Sequence, residues 1–416
     1  IKHFLSQMRY HLSQLNRNHF KDLKIQQEIA RNKLHRLQQD LQSSPESDTL
    51  KHQEKEARKI YGSILSSSYA LLRQQCKIEW IKYGDDCTRF FFAKAKQRKL
   101  ATYICSLQDA SGDVVEGFDK VGEVLHAFYK DLLGRAYLPH TPLDSSIISL
   151  GDTLSNVQQI DLCKAFTDAD IKEALYSIPN HKSPGPDGFS SGFFKSSWNS
   201  TGPLVCTMVK QFFQSGYMPP FISATKLIVL PKVAHPQTAS DFRPISCCNV
   251  LYKVISKLLC SRLKKVLPSI INQCQGAFVQ GREILFNVLI CQDLARGYLR
   301  KQTSPRCMMK VDLRKAFDSI HWVFIEDMLK ALHFPNVFIK WVMACVTNVD
   351  FHLHLNGRIH RSFNGRRGLR QGDPLSPLLF VLAMEYFSRL MKKVSLHPQF
   401  KHHPHCKALN ITHLMF

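Results

Sequence analysis

The chain is 416 residues long, with 56 Lys and Arg against 33 Asp and Glu and a formal charge of +23 at neutral pH. Its 44% hydrophobic content is that of a globular protein able to bury a sizeable core in two or more domains, and the basic excess favours a polyanionic partner, nucleic acid first. No apolar run reaches membrane-spanning length, since the longest, residues 375–387, is broken by Ser376, Pro377 and Glu385, and no secretory signal opens the chain.

Ile1, Leu5, Met8, Leu12 and Leu15 recur at helical spacing, and the apolar stripe resumes at Leu23, Ala30, Leu34, Leu37 and Leu41. Pro45 lies in a Ser-rich break, well placed to start a new helix. A second helical run extends over 50–75. A helical hairpin is the simplest structure; a coiled-coil dimer needs a more regular heptad than these two blocks provide. The chain opens inside a helical pattern and without Met, so Ile1 is expected to be internal to a longer product.

Residues 80–92 run from Trp80 through Gly84, Asp85 and Asp86 to Phe90, Phe91 and Phe92, and Lys94, Lys96, Arg98 and Lys99 follow. Cations beside aromatics suit phosphate contact and base stacking. A solvated helix face over a Phe core accounts for the same residues equally well. Residues 103–115 predict a strand pair turning at Ser111 and Gly112. The polar stretch 137–155, with Pro139, Pro142 and Gly151, is the best linker and domain boundary.

Residues 167–178 predict a helix. The string Lys182-Ser183-Pro184-Gly185-Pro186-Asp187-Gly188-Phe189 forces a tight turn. An apolar strand, 225–230, ends at Pro231 and Lys232, and 240–246 flanks the same loop, so the two predict a hairpin. Arg meets phosphate through a fork of donors and Lys as a point charge. For Lys232 and Arg243 taken without further context, a surface lysine and a carboxylate-paired arginine are the preferred readings. Residues 250–267 form a basic amphipathic helix with Tyr252, Ile255, Leu259 and Leu263 on one face.

Residues 307–313 read as an apolar strand that delivers Asp312 to its end, just before a helix. Alone, such an aspartate is more often a helix N-cap than a ligand. Residues 365–377 form a basic, glycine-broken loop in which Arg366, Arg367 and Arg370 concentrate charge. The loop feeds an apolar helix, 378–391, that Asp373-Pro374 or Ser376-Pro377 can cap and start. The 13 cysteines contain no Cys-x-x-Cys pair and read as reduced, mostly buried thiols of an intracellular protein. His402, His403, His405 and Cys406 fit none of the usual zinc spacings, and a short loop is the preferred reading.

Segments 80–92, 182–189, 225–246, 275–282, 307–320 and 365–382 together resemble the reverse transcriptases of plant LINE-type (non-LTR) retrotransposons. The resemblance implies an α+β chain. It would have a helical hairpin over 1–75, an N-terminal extension of the polymerase over 76–136 and a linker over 137–155. Right-hand fingers and an incomplete palm would follow over 156–416, with the thumb missing. By the same resemblance Lys232 and Arg243 reach the triphosphate of the incoming deoxynucleotide. Ala316 and Phe317 lie under its sugar, Phe317 as a steric gate, and Gln371 and Gly372 contact template and nucleotide. Arg366, Arg367, Arg370, Lys94, Lys96 and Arg98 are expected on nucleic acid. Asp312 and the carbonyl of Leu313 are expected on magnesium, while Asp318 is expected to be structural.

Cys87, Phe92 and Phe286 depart from the family pattern, which has Asn, His and Asp there. In that family the position of Phe416 is followed by Ala-Asp-Asp, and no pair of adjacent aspartates follows Asp312 here. The chain is therefore expected to be catalytically incomplete by itself. RNA template, DNA primer and deoxynucleoside triphosphates are the implied partners, in an intracellular, nuclear setting. A non-catalytic nucleic-acid-binding remnant is the main alternative. A maturase-like protein shares the palm logic, but segments 80–92 and 182–189 favour the LINE type.

Overall fold

The computed structural model describes residues 1–20, 22–76, 93, 96–97, 100–135, 141–296, 307–403, 406–407 and 411–415. Two compact units divide between Tyr103 and Ile104. In the first, α1 spans Lys2–Leu15, a π-helical turn covers Asn16–Phe20, and α2 (Leu23–Ser43) and α3 (Asp48–Cys76) pack side by side. Ala30 on α2 and Ala57 on α3 are buried, and their small side chains let the helix axes approach. Glu54 is buried with them; Gln38 and Arg58 donate to its carboxylate and hold it below the usual range, Arg58 foremost.

The second unit begins with strands β1 (Ser106–Gln108) and β2 (Val114–Glu116), antiparallel, with Leu107 opposite Val115. Their turn is fixed by the Asp109 carboxylate, which accepts from the backbone N–H of Ser111 and Asp113. Next come α4 (Phe118–Gly134), α5 (Ser145–Ile148), α6 (Asn156–Cys163), α7 (Asp168–Tyr176), α8 (Ser191–Ser196), α9 (Trp198–Ser215) and α10 (Pro220–Ser223). Strands β3 (Thr225–Pro231) and β4 (Phe242–Cys248) precede the long α11 (Val250–Ile270) and α12 (Ile284–Arg296). Helices α13 (Ala316–Ser319), α14 (Trp322–Ala331) and α15 (Asn336–Thr347) lead to β5 (Asp350–Leu355), β6 (Arg358–Asn364) and α16 (Ser376–Ser395).

Four strands form one sheet in the order β4-β3-β5-β6. The hairpin expected from 225–246 is present as the antiparallel β3–β4 ladder, with Leu230 opposite Arg243. β3 runs parallel to β5, and β5 returns antiparallel as β6. That return turns on Asn356 and Gly357, at φ 49° and 87°. Two positive φ values are what a two-residue turn needs to match strand twist. One sheet face is covered by α4. Val121, Leu125 and Tyr129 pack with Leu227, Val229, Phe351, Leu353 and Phe363, all buried. Burying each such side chain contributes about 1.5–3 kcal/mol. The architecture is mixed α+β, as expected.

The division of the chain differs from the expected boundary in 137–155. Residues from 141 onward in that stretch belong to the second unit, because one buried arginine holds them there. Arg389 of α16 donates to the carbonyls of Ile148, Asp152 and Ile270 and pairs with Glu385 at 3.0 Å. Gly151 makes room for it, since a Cβ there would lie 2.6 Å from the guanidinium. Glu385 also accepts from the Asn272 N–H, and burial raises its carboxyl above the usual range. Outside this knot, Lys393 pairs with Asp144 and Lys392 donates to the Leu150 carbonyl.

Eleven cysteines are free thiols, six of them buried, in line with the reduced-thiol reading. No helix among the described residues is long and apolar enough to cross a membrane. Removing the arginine of the buried pair leaves Glu385 uncompensated. Arg389→Ala is expected to cost about 3–5 kcal/mol of stability, and Lys392→Ala less than about 0.5 kcal/mol, read from denaturant midpoints.

Candidate nucleotide and nucleic-acid site

Residues 365–375 run from the end of β6 to the start of α16 and are organised around a buried ion pair. Arg370 is 5% exposed. Its guanidinium donates to the Thr225 hydroxyl, the Cys345 carbonyl and the Asp373 carboxylate, at 3.1, 2.8 and 3.2 Å. The same group lies 4.0 Å above the Tyr252 ring. Asp373 is equally enclosed: the hydroxyls of Tyr252 and Ser256 and the Leu375 N–H all donate to it. Burial drives the Tyr252 hydroxyl well above its ordinary pKa, so it stays a donor. The expectation that Arg370 contacts nucleic acid is therefore corrected. Its three hydrogen bonds all go to the interior, and its charge is matched three residues on.

The rest of the loop is stitched to three elements. The Gly368 N–H donates to the Ile320 carbonyl, the Trp322 indole to the Gly368 carbonyl, and the Leu369 N–H to the Phe317 carbonyl. On the other side the Ser246 N–H of β4 donates to the Gln371 carbonyl at 2.8 Å. Gly372 sits at φ 111°, and a Cβ there would lie 2.7 Å from the Ser246 carbonyl oxygen. Only glycine suits that position. The backbone N–H groups of Arg366 and Arg367 donate to the Leu133 carbonyl. The Arg367 guanidinium donates to the carbonyls of Leu132 and Asp131 and so caps the end of α4. Of the three loop arginines expected on nucleic acid, Arg366 alone is exposed.

The β3–β4 hairpin presents Lys232 and Arg243, both exposed. The Lys232 ammonium rests on the Ser240 carbonyl at 2.8 Å. Its loop is closed by Asp241, which accepts from the N–H of Thr238 and Gln237; these bonds hold the carboxyl below the usual range. Ala316 and Phe317 lie in α13, and the Phe317 ring stacks on Phe380 at 4.7 Å. The residues expected around a nucleotide, Lys232, Arg243, Ala316, Phe317, Gln371 and Gly372, thus sit on elements bonded to one another through the loop.

Asp318, expected to be structural, is a buried ionisable group near the start of α13. It is 6% exposed, and no hydrogen bond reaches its carboxylate among the described residues. Burial pushes it up to about 6, against the pull of Lys315 and Lys232. Lys315 takes φ 53°, in the left-handed region, and its ammonium lies 4.6 Å over the Phe128 ring. Burial, Arg314, Lys232 and Arg367 all lower its pKa, while Asp318 raises it.

The expected strand over 307–313 is not formed. No strand among the described residues pairs with it, so its backbone has no ladder to join. Met309, Val311 and Leu313 are exposed, as is Asp312. No group of three His, Cys, Asp or Glu among the described residues is arranged to hold a metal. Asp312 and the Leu313 carbonyl alone do not fit a two-ion site. The Cys406 N–H donates to the His403 carbonyl; His405 lies outside the described residues. Lys96 is exposed. Lys94, Arg98 and segment 80–92 lie outside the described residues.

One contact was not anticipated. Met415 forms a parallel bridge with Gln275: its N–H donates to the Cys274 carbonyl, and its carbonyl accepts from Gly276. The buried Asn287 side-chain amide donates to the carbonyls of both Cys274 and Met415. The neighbouring Phe286, where the family pattern has an acid, is 62% exposed.

Residues 230–415 match the family model described as reverse transcriptase (RNA-dependent DNA polymerase). That span holds the β3–β4 loop, Asp312, α13 and the 365–375 loop. The chain is 28% identical over 341 residues to the transposon TX1 uncharacterized 149 kDa protein of Xenopus laevis, covering 81% of this chain and 25% of that protein. It is 30% identical over 227 residues to the retrovirus-related Pol polyprotein from type-2 retrotransposable element R2DM of Drosophila melanogaster, covering 55% of this chain and 21% of that protein. The probable RNA-directed DNA polymerase from transposon BS of Drosophila melanogaster is 22% identical over 234 residues, covering 55% of this chain and 26% of that protein. The chain thus spans about a quarter of the length of these curated relatives.

Two outcomes follow from the geometry. Asp318 binds its proton more tightly folded than unfolded, so stability falls as pH rises from about 4 to about 6. Asp318→Asn should remove that fall, worth about 1–3 kcal/mol, in urea midpoints measured at pH 4 and pH 7. Gly372→Ala, strained and in collision with Ser246, is expected to cost about 1–3 kcal/mol, whereas the exposed Gly281 is expected to tolerate more, since nothing lies near its absent Cβ.

Proposed function

We propose that this chain is part of the polymerase of a non-LTR retrotransposon, an RNA-directed DNA polymerase by family resemblance. The reading is carried by one observation. Within the matched span, the loop 365–375 is hydrogen-bonded both to β4 of the Lys232–Arg243 hairpin and to α13 carrying Phe317. In this reading β3–β4 and β5–β6 belong to the fingers, and 307–320 to the palm. Lys232 and Arg243 meet the triphosphate of a deoxynucleotide. Phe317 closes on the sugar and disfavours a 2′-hydroxyl, and Gln371 and Gly372 set the template base. Arg366, with Lys94, Lys96 and Arg98, contacts the backbone of an RNA template paired with a DNA primer. An intracellular, nuclear setting and the plant lineage rest on the sequence resemblance alone.

Magnesium is the proposed ion on ligand chemistry, because a carboxylate and a backbone carbonyl are hard oxygen donors. Two-ion nucleotidyl transfer needs carboxylates from more than one segment, and the described residues offer Asp312 alone. The departures from the family pattern at Cys87, Phe92 and Phe286 lean towards a second reading, a nucleic-acid-binding retroelement remnant without turnover.

Both readings require salt-sensitive binding of an RNA–DNA primer–template by the 416-residue chain, because neutralised phosphates release counterions. Arg366→Ala should reduce the slope of log affinity against log salt by about 1. A flat salt response would exclude both. Primer extension with magnesium is expected to give no template-directed product from this chain. A product that Asp312→Asn abolishes would show the chain to be catalytically complete.

A further inference from the structure

Four lysines from three helices gather at the end of α7 and the segment that follows it. Lys195 of α8 donates to the Ile178 carbonyl at 2.6 Å, Lys257 of α11 to the Ser177 hydroxyl at 2.9 Å, and Lys253 of α11 to the Ser183 carbonyl at 2.9 Å. Lys172 of α7 holds its ammonium 5.7 Å from the centre of the Tyr176 ring and 6.0 Å from that of Trp198, and the Lys195 ammonium lies 5.8 Å from Tyr176. The two rings meet edge to face at 6.1 Å. Both are held: the Tyr176 hydroxyl donates to the Lys195 carbonyl, and Trp198 lies so close to Gly202 that a Cβ there would fall 2.8 Å from the indole. Tyr176 is nonetheless 45% exposed.

Lysines elsewhere on these helices find carboxylates. Lys210 of α9 pairs with Asp168 at 2.8 Å. Among the described residues none of the four does so. Asp170 is taken up by the start of α7, and Glu173, the remaining acid of that helix, is exposed. The end of a helix carries about half an elementary negative charge. Capping α7 therefore accounts for one ammonium, not four, and it does not require an open aromatic ring among them.

We propose that Lys172, Lys195 and Tyr176 form a docking surface for single-stranded nucleic acid, separate from the 365–375 loop and the Lys232–Arg243 hairpin. Phosphates sit at the two lysines, with Lys257 adding charge, and one unpaired base stacks on Tyr176. A duplex keeps its bases stacked on one another and offers none to the ring. An acidic peptide would use the cations and leave the ring idle. The surface goes beyond the polymerase reading and stands without it, because it shares none of the residues assigned to the nucleotide. It is nevertheless tied to the same frame. The turns of α11 that carry Lys253 and Lys257 also carry Tyr252 and Ser256, which hold Asp373.

The test is lysine acetylation of the intact 416-residue chain, read by mass spectrometry. Three probes are compared: a single-stranded oligonucleotide, an abasic phosphodiester of the same length, and poly-glutamate of equal charge. The oligonucleotide is expected to protect Lys172 and Lys195 at concentrations on the order of tenfold below the abasic strand, the loss of one stacked base. Tyr176→Ala should erase that difference and Tyr176→Phe, which keeps the ring, should preserve it. Lys172→Gln should lower the slope of log affinity for the oligonucleotide against log salt by about 0.7. Equal protection by the abasic strand or by poly-glutamate overturns the inference, as does protection that disappears in Arg366→Ala. If Arg366→Ala leaves primer–template binding unchanged while the oligonucleotide still protects Lys172, the polymerase reading loses its support and this surface stands.

Discussion

The second unit depends on a charge that never meets solvent. Arg370 and Asp373 lie three residues apart and are both buried, with three hydrogen bonds from the guanidinium and donors on both carboxylate oxygens. Such a pair is weak evidence for stability, because desolvating two charges costs about what their attraction returns. What it does achieve is uniqueness of geometry. Arg370 reaches Thr225 at the start of β3 and Cys345 near the end of α15; Asp373 reaches Tyr252 and Ser256 on α11. Two loop positions therefore tie three elements, β3, α15 and α11, to one another. A slip in any of them would strand a charge without a partner.

From that anchor the site is assembled by backbone hydrogen bonds. Gly368 and Leu369 hold α13 and its approach, Gln371 holds β4, and Arg367 closes α4. The exposed side chains, Lys232, Arg243 and Arg366, stand on this frame. Within the 365–375 loop Arg367 and Arg370 build the frame while Arg366 is exposed, and burial separates the two kinds. The Arg389–Glu385 pair does similar work further along, tying 144–154 to α16 and to the end of α11.

Much of this was legible in the sequence because it is local. The 225–246 hairpin, the 167–178 helix and the 103–115 strand pair follow from alternation, capping residues and turn chemistry. Thr167 does accept from the Asp170 N–H as a helix start should. The β5–β6 hairpin was equally legible and was missed. Asn356 and Gly357 between alternating Phe351, Leu353 and Leu355 are a strong short-range hairpin signal. Arg370 was misassigned because charge in a basic loop says nothing about burial; its spacing from Asp373 was the available sign. The linker in 137–155 was misplaced for a similar reason: its polar composition hides a carbonyl cage filled by an arginine more than 230 residues away. Strand 307–313 failed because a strand exists only with a neighbour, and no local pattern states whether one is present.

The most direct test of the account is amide hydrogen exchange in the intact chain, compared with Asp373→Asn. If the buried pair is the common anchor, the N–H groups of Gly368, Leu369 and Ser246 lose protection together, while Asp113 in the remote β1–β2 turn is unchanged. If Ser246 keeps its protection while Gly368 and Leu369 open, the loop does not couple the hairpin to α13, and the account is contradicted.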